Sequence, residues 1–316
     1  MKRNLIFVVS VFVVVMSAFT STNAQLRLPQ ARQKASITQT VGITDVTIKY
    51  SRPGVKGRKI FGDPPTDSYA KGEETLDNQY RRPEGMAIVP YGHVWRTGAN
   101  DATQFVVTDD VMINGQKLPA GSYSLHTIPA KDEWTIVFNG NANQWGSFNY
   151  DPAKDTLRVK AKPQWMKDNQ EWMMFTIDPA TEDSATVNIR WEKVVVPFTV
   201  TVDTVGIAMA KARPLIAAAK PDDWRIRLNV GGFAVEHKLA DEGMKLLGEA
   251  LAIVENTLKT NESYGALAGR ANILFAMGKR DEGFAAAEKA IAFGKANKAD
   301  TSALESRVAT EKSRKT

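Results

Sequence analysis

Two stretches decide the fold of the first two thirds of this chain: Ala185-Thr186-Val187-Asn188-Ile189-Arg190-Trp191, and then Val194-Val195-Val196-Pro197-Phe198-Thr199-Val200-Thr201-Val202. In the first, residues 185, 187, 189 and 191 are apolar and the residues between them are polar. In the second, Val194, Val196, Phe198, Val200 and Val202 form another such set. A period of two sends alternate side chains to opposite faces of an extended strand, as in antiparallel sheets with one buried and one wet face. Val46, Ile48 and Tyr50 alternate in the same way, as do Trp134, Ile136 and Phe138. Asn114-Gly115 stands between Val111-Met112-Ile113 and Gln116-Lys117-Leu118, a two-residue hairpin signal because both central residues must accept positive φ. Pro119-Ala120-Gly121 then turns the chain into Ser122 to Ile128. The pattern predicts eight or nine short strands, arranged as an antiparallel sandwich or small barrel over residues 25–204. Residues 64–85 are polar and unpatterned and predict a long inserted loop, which at that length is functional or disordered.

Nine motifs follow one another in this region. They are Ile43-Thr44-Asp45-Val46, Tyr50-Ser51-Arg52-Pro53, Val55-Lys56-Gly57-Arg58-Lys59-Ile60-Phe61-Gly62, Val89-Pro90-Tyr91-Gly92, Trp95-Arg96-Thr97-Gly98-Ala99-Asn100, Ile113-Asn114-Gly115, Leu118-Pro119-Ala120-Gly121-Ser122-Tyr123-Ser124-Leu125, Asp132-Glu133-Trp134-Thr135-Ile136 and Asn143-Gln144-Trp145-Gly146. Over residues 26–203 the chain resembles the secreted bacterial family called domain of unknown function 2911, common among Bacteroidota. The resemblance implies a secreted β-rich domain and carries no activity with it. Residues 63–85 are longer than the family's usual join, and His126 stands where an aromatic is expected.

After a connector at 205–221 the spacing becomes helical and alanine-rich. Residues 222–316 repeat at an offset of 40: Asp241-Glu242-Gly243 matches Asp281-Glu282-Gly283, and Ala250 and Ala252 match Ala290 and Ala292. Leu267, Ala271, Leu274, Gly278, Gly283, Ala287 and Ala290 resemble the small-and-large spacing of a tetratricopeptide repeat, although the offset exceeds the ~34 residues usual for it. Asp222-Asp223 and Thr260-Asn261 are candidate helix starts, and residues 302–312 a final capping helix. Such hairpins either hold a protein partner or merely pack on the β region.

Composition removes several classes. With 316 residues, 43% hydrophobic and 24% charged, the chain is neither disordered nor collagen-like, and two domains are expected. The absence of cysteine excludes disulfides, thiolate metal sites, cysteine nucleophiles and a lipid-modified N-terminal cysteine. Lys2 and Arg3, the apolar stretch of residues 5–16, and the small residues ending at Ala24 read as a signal peptide cleaved after Ala24. Its apolar core is too short to span a bilayer, which takes about 20 residues. The expected location is beyond the inner membrane, in the periplasm, with no transmembrane segment in the mature chain. The net charge of +6 does not mark a nucleic-acid binder, because residues 25–204 are neutral and residues 222–316 carry only +1. One basic cluster remains, Lys49, Arg52, Lys56, Arg58 and Lys59, which reads as a solvated loop or, more sharply, as an anion-binding one.

No nucleophile elbow, Walker loop, zinc-protease motif or dinucleotide fingerprint is present. No cofactor or metal is called for. The strongest constellation is the loop Trp95-Arg96-Thr97-Gly98-Ala99-Asn100-Asp101, which gathers a planar donor, an amide and a carboxylate. Arg96 there either donates two parallel bonds to an anionic ligand or pairs with Asp101 to brace the turn. Arg52, Trp95, Arg96, Asn100, Asp101 and His126 are the candidate ligand-binding residues. Alternation places His126 outward with Ser122 and Ser124. His93 and His126 read either as inert histidines or as candidates for metal binding or proton transfer. Trp134 and Trp191 fall on core faces. Trp145 and Trp165 fall in loops, where they either tuck against the core or lie exposed and stack on sugars. The resulting expectation is a secreted, non-catalytic binding or scaffold protein with a protein partner at the helical repeats. The alternative is an envelope hydrolase, or a protein binding a glycan or small anionic ligand through the loop at 95–101.

Overall fold

The computed structural model describes residues 32–64, 77 and 85–314. The expected signal peptide lies outside them, as does all of the 64–85 stretch except Pro64, Asp77 and Gly85. Six strands form one antiparallel sheet in the order β1 (Gln33–Val41), β2 (Thr44–Arg52), β5 (Thr103–Val107), β8 (Gly121–Ile128), β9 (Trp134–Asn139), β10 (Asp155–Ala161). Between them in sequence come β3 (Phe61–Gly62) and β4 (Val89–Pro90), a short parallel pair, then the hairpin of β6 (Val111–Ile113) and β7 (Gln116–Leu118). The second sheet runs β11 (Gln164–Thr181), β12 (Ser184–Thr201), β6, β7. Asn114 and Gly115 have φ of 46° and 79° at the β6–β7 turn, the mirror-image turn that their sequence favours.

The two alternating runs at 185–202 are one strand. Inward residues of β12 are odd-numbered through Trp191 and even-numbered from Val194. The phase changes at Glu192, whose φ of 54° is left-handed. This one left-handed residue shifts the alternation by one, so the second half of the strand faces the same core, and the pairing with β11 is irregular at the same place, with the extra residues on β11. That core fills the space between the sheets, with Ile48, Phe105, Leu125, Trp134 and Phe138 on one side and Phe175, Val187, Trp191 and Phe198 on the other.

The opposite face of the six-stranded sheet is polar. One row of paired residues, Ser36, Lys49, Gln104, Ser124, Asn139 and Asp155, crosses all six strands.

Helices follow from α1 (Thr204–Ala218), which fills most of the segment read as a connector. Asp203 caps it, and Lys211 Nζ reaches Asp109 beside β6 at 2.6 Å. α2 (Trp224–Glu236) and α3 (Ala240–Thr260) form one hairpin, α4 (Tyr264–Ala276) and α5 (Arg280–Ala296) another, and α6 (Ser302–Ser313) closes the chain. The helices of the two hairpins start 40 residues apart, at 224 and 264 and at 240 and 280, so the sequence offset is the structural period. Close approach explains the shared glycine. A Cβ on Gly243 would lie 2.7 Å from Val235 and 2.8 Å from the Gly231 carbonyl, and one on Gly283 would lie 2.6 Å from the Phe275 ring. Asp223 caps α2 as expected. At the second start the cap is Ser263, because α3 continues through Thr260. No described helix is long and apolar enough to cross a membrane.

Candidate functional site

Half of the polar row is covered and half is open. Residues 140–151, between β9 and β10, fold over Ser124, His126 and Asn139. Gln144 Nε2 donates to the Ser124 hydroxyl at 2.9 Å, and His126 Nε2 lies 3.1 Å from that oxygen. Asn139 Nδ2 donates to the Asp151 carbonyl at 2.9 Å, while the Tyr150 hydroxyl donates to Asp155 at 2.7 Å. His126 does share its face with Ser124, as alternation requires, but it is fully buried because this loop lies on it. Burial lowers its imidazole to about 4; the negative charge of Asp77 opposes the shift and the positive charge of Arg96 adds to it. Burial, and then the Asp155 carboxylate, push the Tyr150 phenol up.

The covering loop is anchored by Asp77. Ser147 donates to this carboxylate from both its backbone N–H and its hydroxyl, each at 2.6 Å, and Arg96 pairs with the other oxygen. Arg96 also donates to the Asn100 carbonyl at 2.7 Å, which accepts from Gly146 N–H at 3.0 Å as well. Asn100 presents that carbonyl from a left-handed conformation, φ 61°. Trp145 lies between these ties and pairs backbone to backbone with Asp101. Its position is thereby determined, yet 59% of its surface is exposed.

The exposed indole lines a groove of about 420 Å³ with Lys34, Lys49, Asp101, Gln104 and Asn143. Lys34 pairs with Asp101 at 3.0 Å, and Gln104 Nε2 donates to Asn143 Oδ1 at 2.9 Å. A cavity of this size, with an aromatic wall and a few convergent polar groups, is the usual form of a small-ligand site.

The six candidate residues do not form one cluster. Asp101 lines the groove. Asn100 and Arg96 support it from behind, and Arg96 pairs with Asp77 while Asp101 pairs with Lys34, so the two are not each other's partners. Trp95 is buried, stacked on Trp191 at 5.7 Å with its indole N–H on the Gly98 carbonyl. His126 is sealed beneath the loop. Arg52 closes a different seam, donating to the Met173 carbonyl at 2.8 Å. Two of the five cations of the basic cluster are turned to backbone, Arg52 as above and Arg58 on the Val55 and Gly54 carbonyls, while Lys56 Nζ lies over the Trp172 ring. His93 is buried against the Tyr91 carbonyl at 2.9 Å. Trp165 is exposed, as Trp145 is, but lines no described groove with it.

Asp77 escaped sequence reasoning, since nothing distinguishes it from the other acids of an unpatterned segment. Lys49 carried a signal, as a polar position on β2, but its cross-strand neighbours were needed to place it.

The family described as Protein of unknown function (DUF2911) matches residues 32–200, more than half of the chain. The chain belongs to this family. No curated protein and no solved structure matches it. The DUF2911 region holds both sheets nearly to the end of β12, and it contains the whole groove and the Asp77 cluster. The helices lie beyond it.

Proposed function

We propose that this DUF2911 protein is a secreted, non-catalytic glycan-binding protein that acts in the periplasm. The observation that carries the reading is Trp145, an indole held by its neighbours' backbone and left open above polar side chains. Burying an indole is favourable, so a large apolar ring kept in water on a fixed support is suited to stacking on a ligand face. Hydrolysis of a glycosidic bond ordinarily needs two carboxyl groups flanking it. Among the described residues lining the groove Asp101 is the one carboxylate, and Lys34 holds it. Binding is therefore favoured over the hydrolase alternative. Residues 1–24 support export by their charged, apolar and small-residue order.

The test is calorimetric titration of the chain lacking residues 1–24 with a panel of oligosaccharides. Trp145→Ala is expected to leave the melting temperature unchanged and weaken binding about tenfold, the factor that 1.4 kcal/mol of ring contact represents. A folded protein that binds no saccharide would remove the reading.

A second reading concerns the helices. Two hairpins of equal period support a tetratricopeptide-like scaffold that holds a protein partner. Pull-down from envelope extract with residues 204–316 deleted or present tests it. A partner retained without the helices would count against it.

A further inference from the structure

The groove's charges narrow the ligand further, and this step rests on the glycan-binding reading. Its described lining carries two cations, Lys34 and Lys49, and one anion, Asp101. The Lys34–Asp101 pair neutralises one of each. Lys49 has no ion pair or side-chain hydrogen bond among the described residues, and it stands in the polar row directly between Ser36 and Gln104. Arg52 and Arg58 keep their charges, but neither lines this groove. The groove thus has one uncompensated positive charge beside an aromatic platform. Gln104 and Asn143 bond each other through one amide N–H and one carbonyl oxygen, which leaves the Gln104 oxygen and the Asn143 nitrogen to meet hydroxyl groups.

We infer that the groove binds a carboxylate-bearing sugar, a hexuronate unit of an oligosaccharide. Its ring stacks on Trp145, its hydroxyls bond Gln104 and Asn143, and its carboxylate pairs with Lys49. One charge fits a sugar carboxylate better than a phosphate dianion, which draws more than one cation.

The experiment titrates the chain lacking residues 1–24 with tetragalacturonate, tetraglucuronate and tetramannuronate, each beside its methyl ester. The ester keeps the sugar ring and removes the charge. At low salt the acid of at least one pair is expected to bind about two- to fivefold tighter than its ester, as an exposed ion pair allows, and 0.5 M NaCl should shrink the difference. Lys49→Gln should make acid and ester equal, and circular dichroism checks that it folds. Equal binding of acid and ester by the native chain, or a preference surviving Lys49→Gln, overturns the hexuronate assignment and leaves the glycan reading standing. No binding of either form, or of any neutral oligosaccharide, by the folded protein overturns both.

Discussion

The Asp77 carboxylate accepts two hydrogen bonds from Ser147, one from the backbone N–H and one from the hydroxyl, across 70 residues of sequence. Its second oxygen holds Arg96. Because Ser147, Gly146 and Trp145 are consecutive, one buried acid sets the support of an exposed ring. Asp77→Ala would leave the buried Ser147 N–H and hydroxyl without their acceptor, and it should cost about 1–3 kcal/mol of stability. Urea denaturation checks the size of the loss. Asp77→Asn keeps an acceptor oxygen and should lose less.

Burial of His126 makes stability depend on pH. The imidazole titrates near 4 in the folded protein, lowered first by burial, against about 6.5 when unfolded. The unfolded chain therefore takes up this proton first as the pH falls. The stability is present in full above pH 6.5, declines from there towards pH 4, and changes no further below it. The decline is of order 3 kcal/mol. Urea midpoints at pH 7 and pH 5 should differ more in the native chain than in His126→Gln, which does not titrate there.

The two hairpins end their first helices differently. Lys238 and Gly278 follow α2 and α4 at equivalent places, both left-handed, with φ of 66° and 75°. A side chain in that region costs about 1–2 kcal/mol, and glycine's extra freedom when unfolded offsets about 0.4–1. Lys238→Gly should therefore stabilise the protein by roughly 0.5–1 kcal/mol, read as a higher melting temperature.

Glycine at two helical positions gives opposite expectations. A Cβ on Gly269 would stand 2.2 Å from the Trp224 ring, whereas one on Gly248 would meet nothing within 4 Å. Gly269→Ala should destabilise by about 1–3 kcal/mol through overpacking. Gly248→Ala should stabilise by about 0.5–1 kcal/mol through helix propensity. Thermal melts of the two variants side by side decide both.

The sheets were legible because their evidence is local. Alternation in Val46, Ile48 and Tyr50, and the Asn114-Gly115 turn, each arise from a few neighbouring residues acting on one backbone. The 40-residue offset was equally plain, since each hairpin needs the same small residue at its crossing. The phase change at Glu192 was less visible: the change from odd to even inward residues lay in the pattern but read as two strands.

By itself, the sequence determined the strand periodicity, the hairpin, the helical repeat and the family, all set by short-range preferences and face polarity. The tertiary structure decided which polar residues are open. His126 and Lys49 both belong to the polar side of one sheet. A loop folds over the first and not over the second, because Asp77 and Asn100, from two other parts of the chain, hold its Ser147 and Gly146. Such long-range bonds leave no trace in local spacing, and so the groove beside Trp145 emerges only once the chain is folded.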